Sequence, residues 1–292
     1  PVLTSTLRRF AERFGPAGYR ESALIPCYGM AEATLFVSGK PDGTSPRSTW
    51  LDKAALEQGG ATAATAGAAG ATEVMSCGAV AHGHEVVIVD SRSRRPVPPG
   101  TVGEIWVAGP NVAHGYFGRP ELTAGAFQAR LDGARDGSAY LRTGDAGFLM
   151  DGELYVTGRL KDVIIIAGRN LYPQDIEVSV LAASDDLRRA AAFAVRPGDG
   201  EEQLVVVAEL RRAGQRGEQY LAGLRDRVTA AVAAGHAVRP ALVHLGPPGT
   251  IATTTSGKVR RSATRQAYQD GTLKELAPAR AAELAASAES AR

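Results

Sequence analysis

Residues 140–177 read YLRTGDAGFLMDGELYVTGRLKDVIIIAGRNLYPQDIE, and the grammar of the chain changes inside them. Up to Gly158 the signal is β, with 153–158 a short run of β-branched and aromatic residues bounded by glycine. Beyond it, 162–167 reads as an apolar strand. Residues 173–182 read as a helix with Pro173 at its start, where a missing N–H costs nothing. Between the two strands lie Arg159, Lys161 and Asp162. Three charges packed there mark either a solvated hairpin turn or a hinge, and a domain boundary falls at 159–162.

Upstream, 85–90 and 104–109 repeat the β pattern, so 74–160 fits a small barrel or sandwich. Downstream, 191–195, 204–210 and 241–245 read as strands and 219–234 as a helix. Together with 162–167 and 173–182 they give strand–helix–strand–strand–helix–strand, a small α+β domain. Residues 2–13 form an amphipathic helix with Leu3, Leu7 and Phe10 on one face and Thr4 or Ser5 as its cap. Residues 23–28 are a short strand stopping at Gly29, and 38–50 a loop. The stretch 59–72 (GGATAATAGAAGAT) holds no side chain large enough for a core and reads as a mobile surface excursion. From 276 to 292 the chain is an Ala-, Glu- and Arg-rich tail with little to bury.

The 292 residues suffice for one large domain or two ordinary ones, and 44% hydrophobic with 22% charged residues excludes a disordered or fibrous chain. A net charge of +2 is too balanced for a nucleic-acid protein built on a basic surface. Cys27 and Cys77 make neither a disulfide scaffold nor a zinc site. No apolar run approaches the ~20 residues that span a bilayer, and no signal peptide opens the chain. The expectation is a soluble cytoplasmic protein. Lysine occurs five times among 33 basic residues. Arginine has taken nearly every generic positive charge, so a lysine kept in a Gly-rich motif is needed as a compact charge on a flexible stem. Lys161 and Lys258 are the two of interest.

Four segments could carry chemistry. In 28–34 (YGMAEAT) a strand ends in a turn that offers the ring of Tyr28, the bare backbone of Gly29 and the carboxylate of Glu32, an oxygen ligand suited to Mg²⁺. In 140–145 (YLRTGD), Asp145 follows a Thr-Gly turn and can accept from two vicinal hydroxyls. The third is the charged 158–162 segment. In 253–261 (TTTSGKVRR), hydroxyls, a glycine and Lys258 make a phosphate loop, although Ala252 and Val259 exclude a Walker A pattern. Each alone is as readily an ordinary turn or basic surface loop.

In order and spacing together, these segments resemble the adenylate-forming superfamily of acyl-CoA synthetases, luciferases and adenylation domains, and most of all its fatty acyl-AMP ligases. The resemblance runs from Pro1 to about Tyr268 and includes 104–116 (EIWVAGPNVAHGY). It implies the β-rich end of a large α/β AMP-binding domain over 1–160 and a small mobile α+β domain over 161–275. It implies that Tyr28 stacks on adenine beside Gly29, Glu32 attends Mg²⁺, and Asp145 binds ribose with Arg159 assisting. Lys161 is then the hinge, and Lys258 reaches the substrate carboxylate and α-phosphate. The implied substrates are ATP and a fatty acid, and the implied acceptor is the phosphopantetheine thiol of an acyl carrier protein or of a polyketide or peptide synthase carrier domain.

Ala31 with Thr34, and the long stretch from Glu32 to Gly78, favour an acyl-AMP ligase over an acyl-CoA synthetase that accepts CoA. In that stretch Trp50, Leu51, Leu56, Val74 and Met75 are the apolar anchors available for contact with the small domain. The family's lysine-bearing phosphate loop and most of its acyl tunnel are expected upstream of Pro1. A non-catalytic interaction module is the alternative from another class.

Overall fold

The computed structural model describes residues 1–133, 138–198, 200–212 and 217–276. The expected tail past Leu276 lies outside the described residues. The chain divides into two compact units, Pro1–Lys161 and a second beginning at Asp162.

The first unit runs α1 (Thr4–Phe14), β1 (Cys27–Met30), β2 (Leu35–Gly39), β3 (Ser48–Asp52), α2 (Lys53–Glu57) and β4 (Ala71–Val80). It continues through β5 (Glu85–Val89), β6 (Gly103–Ala108), α3 (Pro120–Phe127), β7 (Leu141–Met150) and β8 (Glu153–Arg159). The strands form one eight-stranded antiparallel sheet in the order β1-β2-β4-β8-β7-β6-β5, with β3 on β4. A barrel or sandwich is thus replaced by a single sheet that also recruits β1 and β2. Strand β6 shows why it is covered on both faces: Ile105 and Val107 join Tyr28, Val37 and Leu154, while Trp106 joins Val89 and Tyr140.

Several local expectations are corrected. Helix α1 is capped at Leu3 without a side-chain hydrogen bond from Thr4 or Ser5, and none of its residues is buried. Residues 21–23 form a 3-10 turn, so the strand begins only at Cys27 and runs through Gly29 to Met30. The stretch 59–72 is tied down by its backbone: the N–H of Asp52 donates to the Thr62 carbonyl (2.8 Å), Ala64 to Trp50 (2.8 Å) and Ala61 to Gly100 (2.6 Å). Main-chain bonds supply what its small side chains cannot. Leu51, Leu56 and Met75 are buried within this unit, leaving Trp50 and Val74 partly exposed. The largest miss is β7. Its Thr-Gly-Asp-Ala-Gly run reads as a turn, yet Gly144 takes φ +69° inside a strand that pairs with β6 and β8, and the register shifts at Ala146/Gly147.

The second unit holds a hairpin of β9 (Ile164–Ile166) and β10 (Arg169–Leu171), then α4 (Pro173–Ala182), β11 (Leu187–Val195) and β12 (Gln203–Leu210). After these come α5 (Glu218–His236), β13 (Leu242–Gly246) and α6 (Arg261–Gln269). β12 is central, antiparallel to β11 and parallel to β13, with α5 as the crossover that a parallel pair requires. Alternation on β12 splits the core. Leu204, Val206 and Ala208 pack with Ile176 and Val180 of α4 and Leu224 and Val228 of α5. Val205 and Val207 face the other way, onto Phe193, Ile251, Val259 and Tyr268. Helix α6 went unread because its sequence, RSATRQAYQ, buries only Thr264. Among the described residues, no helix is long and apolar enough to cross a membrane.

Candidate functional site

Asp145 sits on β7 directly opposite Arg159 on β8. That register brings Arg159 Nε within 3.3 Å of Asp145 Oδ1. The other carboxylate oxygen accepts from the Tyr28 hydroxyl at 2.8 Å, so β1 reaches β7 through a side chain although the two strands are not neighbours in the sheet. The Asp145 N–H donates to Thr143 Oγ1 (3.0 Å), whose hydroxyl donates to the Ile105 carbonyl (2.7 Å). Burial raises the Asp145 pKa, opposed by the Tyr28 hydrogen bond and the Arg159 charge. Burial and the Asp145 charge push the Tyr28 phenol far up, so it remains a donor.

The structure thus joins Tyr28, Asp145 and Arg159. Tyr28 is 8% exposed and packs in the core. Its hydroxyl orients Asp145. Gly29 is needed because a Cβ there would lie 1.5 Å from the Leu35 carbonyl oxygen; the missing side chain accommodates β2.

Glu32 lies in a 3-10 turn over Ala31–Ala33, and its Oε1 accepts from the Tyr116 hydroxyl at 2.8 Å. The turn is clamped from the loop after β6. Asn111 Nδ2 donates to the carbonyls of Ala33 (2.5 Å) and Phe36 (2.9 Å), and the Thr34 hydroxyl donates to the Asn111 carbonyl (2.6 Å). The clamp holds Thr34 at φ +49° and Leu35 at φ +81°, backbone conformations that side chains of this size rarely adopt. Asn111 and Tyr116 were not singled out from sequence, because nothing in their spacing ties them to Glu32. Among the described residues, no group of three His, Cys, Asp or Glu is arranged to hold a metal ion. A single half-exposed carboxylate fits Mg²⁺ of the kind shared with substrate phosphates and water.

In the second unit, Lys258 is exposed near the tip of a tight hairpin. Its N–H donates to Thr254 Oγ1 (3.1 Å), the Gly257 N–H to the Thr254 carbonyl (2.9 Å), and the Thr254 N–H to the Lys258 carbonyl (2.9 Å). These amides are spent inside the loop, so it is not the backbone phosphate cradle expected; what it offers is the ammonium. No carboxylate pairs with Lys258 among the described residues. Lys161 is exposed in the 3-10 turn Leu160–Asp162 and closes the first unit.

The AMP-binding enzyme family matches residues 1–117. The long-chain-fatty-acid–AMP ligase FadD32 of Mycolicibacterium smegmatis is 40% identical over 94% of this chain and 48% of its own length. The 4-hydroxyphenylalkanoate adenylyltransferase of Mycobacterium tuberculosis is 42% identical over 91% of this chain and 43% of its own. Among solved structures, one from a study of fatty acyl-adenylate ligases from E. coli and L. pneumophila superposes with a TM-score of 0.80 at 31% identity, covering 93% of this chain and 46% of the other. The chain therefore spans about half the length of the relatives it matches. With its mixed α/β fold, large antiparallel sheet and motifs in family order, the chain matches the AMP-binding enzyme family over residues 1–117 and is similar to fatty acid–AMP ligases along 94% of its length.

Proposed function

We propose that the natural full-length protein activates a fatty acid as its acyl-adenylate and passes the acyl group to a carrier-protein thiol. The carboxylate oxygen attacks the α-phosphorus of ATP, and the bond to the β-phosphate breaks with pyrophosphate leaving. The phosphopantetheine thiolate then attacks the acyl carbon, and AMP departs with the C–O electron pair. The observation that carries this reading is Asp145, a partly buried carboxylate whose two oxygens are aimed by Tyr28 and Arg159. In it we see the acceptor for two ribose hydroxyls, with Arg159 yielding one oxygen to the ligand.

Lys258 then supplies a mobile positive charge to the oxygens that gain negative charge as the carboxylate and α-phosphate react. Glu32, steadied by Tyr116, would hold Mg²⁺, which supplies charge neutralisation on the phosphates. Lys161 is the pivot about which the small unit turns, withdrawing Lys258 for thioester formation. The chain's similarity to a long-chain-fatty-acid–AMP ligase and to fatty acyl-adenylate ligases supports both the adenylate and the fatty acid. The acceptor rests on Ala31, Thr34 and the β3–β4 arm that fills the stretch from Glu32 to Gly78. A bias of ~1.4 kcal/mol between two orientations changes their ratio tenfold.

The test assays the full-length protein with CoA and carrier protein side by side, with and without residues 44–72. Faster acyl transfer to the carrier supports the reading. Acyl-CoA formed as fast as acyl-carrier replaces it with an acyl-CoA synthetase, and no adenylate in any assay leaves an interaction module.

A further inference from the structure

We propose that two buried carboxylates, Glu177 and Glu209, are positioning residues that set where Lys258 points; this rests on the adenylation reading above. The lysine hairpin is seated at both ends. At its start, the Ile251 N–H donates to Glu209 Oε2 at 3.1 Å from the middle strand β12, and Ile251 itself is buried. At its end, Arg261 makes a two-pronged bond to Glu177 of α4, Nε to Oε1 and Nη2 to Oε2, both at 2.6 Å. Between these seats, the Arg260 N–H donates to the Ala252 carbonyl at 2.9 Å, and Ala252 N–H donates to the buried Thr264 hydroxyl at 3.3 Å.

Neither carboxylate is explained by the surface. Glu209 is fully buried, and Arg188 and Arg189 lie 3.1 and 3.5 Å from its Oε1 without a hydrogen bond to it. Those two arginines balance its charge; its one hydrogen bond to the hairpin goes to Ile251. Glu177 Oε1 additionally accepts from the Ala192 N–H at 3.1 Å, so the carboxylate that holds Arg261 is itself fixed to β11. Arg261 Nη1 also comes within 3.6 Å of Asp162 Oδ2, the residue after Lys161. The guanidinium therefore spans from the segment beside the pivot to the base of the lysine hairpin. A rotation at Lys161 is delivered to Lys258 through a stiff connection, and the lysine arrives at a fixed place. Placement matters at this scale, since a misplacement of about 1 Å in a reacting group can cost ~10²-fold in rate.

The test is a double-mutant cycle on adenylation by the full-length protein, with Glu177→Gln and Glu209→Gln each made alone and with Lys258→Ala. Glutamine keeps the shape and part of the hydrogen bonding, so these variants keep the fold that Glu177→Ala would weaken. Each single variant should lose about 10-fold to 10² in adenylation kcat while KM for ATP and transfer from supplied acyl-adenylate stay near wild type. On the Lys258→Ala background the same changes should cost nothing further. Full additivity with Lys258→Ala overturns the positioning role. If Lys258→Ala alone leaves adenylation intact, it is the adenylation reading that falls.

Discussion

Two carboxylate–arginine pairs, Glu177–Arg261 in the second unit and Asp145–Arg159 in the first, are built differently. Glu177 and Arg261 meet through two 2.6 Å bonds, with the arginine side chain only 21% exposed. Asp145 and Arg159 meet through one 3.3 Å contact, with the arginine side chain 58% exposed. Burial raises the pKa of both carboxylates, and the arginine pulls each back. The difference lies in what is left over. Glu177 has both oxygens committed to the protein, so the pair can only hold structure. Asp145 is held by a phenol on one oxygen and a solvated arginine on the other, a pairing that, under the proposed function, gives way to the ribose diol. Enclosure marks the pair that fixes, and looseness the pair that exchanges.

The largest effect should fall on stability, at the enclosed pair. Glu177→Ala strands Arg261 in the core and should cost about 3–5 kcal/mol in urea unfolding, whereas Arg159→Ala should cost under about 1 kcal/mol because its guanidinium stays in water. Equal losses would erase the distinction. Next comes Lys258→Ala, which should slow adenylation by roughly 10²–10³, the scale of losing one preorganised charge stabiliser, and leave transfer from supplied acyl-adenylate much less affected. Smaller again, Asp145→Ala should weaken ATP binding by about 1.5–3 kcal/mol in all, since Tyr28 and Arg159 already satisfy its oxygens without ligand, with fatty-acid affinity little changed, as isothermal titration of the full-length protein would measure.

The smallest effect is in pH dependence. A folded carboxylate with a raised pKa contributes stability that is present below its unfolded pKa and is lost as pH rises through the folded one. Asp145→Asn should flatten that decline across the carboxylate range, and Arg159→Ala should steepen it by letting the Asp145 pKa climb further. Unfolding curves at a series of pH values read both slopes.

How much of this was legible depended on whether a residue's job was set by its neighbours in sequence. Helix α4 was readable to the residue, because Pro173 and the apolar spacing at Ile176 and Val180 are local signals. Tyr28, Asp145 and Arg159 were all identified, yet the Tyr28–Asp145 bond, which joins β1 to β7 across three intervening strands, was not. Strand β7 was hidden by its own glycines, whose turn chemistry is outvoted by pairing on both sides. Asn111, Tyr116, Glu177 and Arg261 act through partners far along the chain, and no spacing rule points to such pairs.

Strand β12 has a consequence for how the small unit comes apart. Apart from Gln203 at its start it is buried along its whole length, and it belongs to both cores at once. Neither layer can be peeled away while the other stays shut, so its amides should exchange with deuterium only when the entire unit opens. Glu209, the seat of the lysine hairpin, is on that strand. The tip bearing Lys258 can then fray on fast timescales, while the ground it stands on is the last part of the unit to melt.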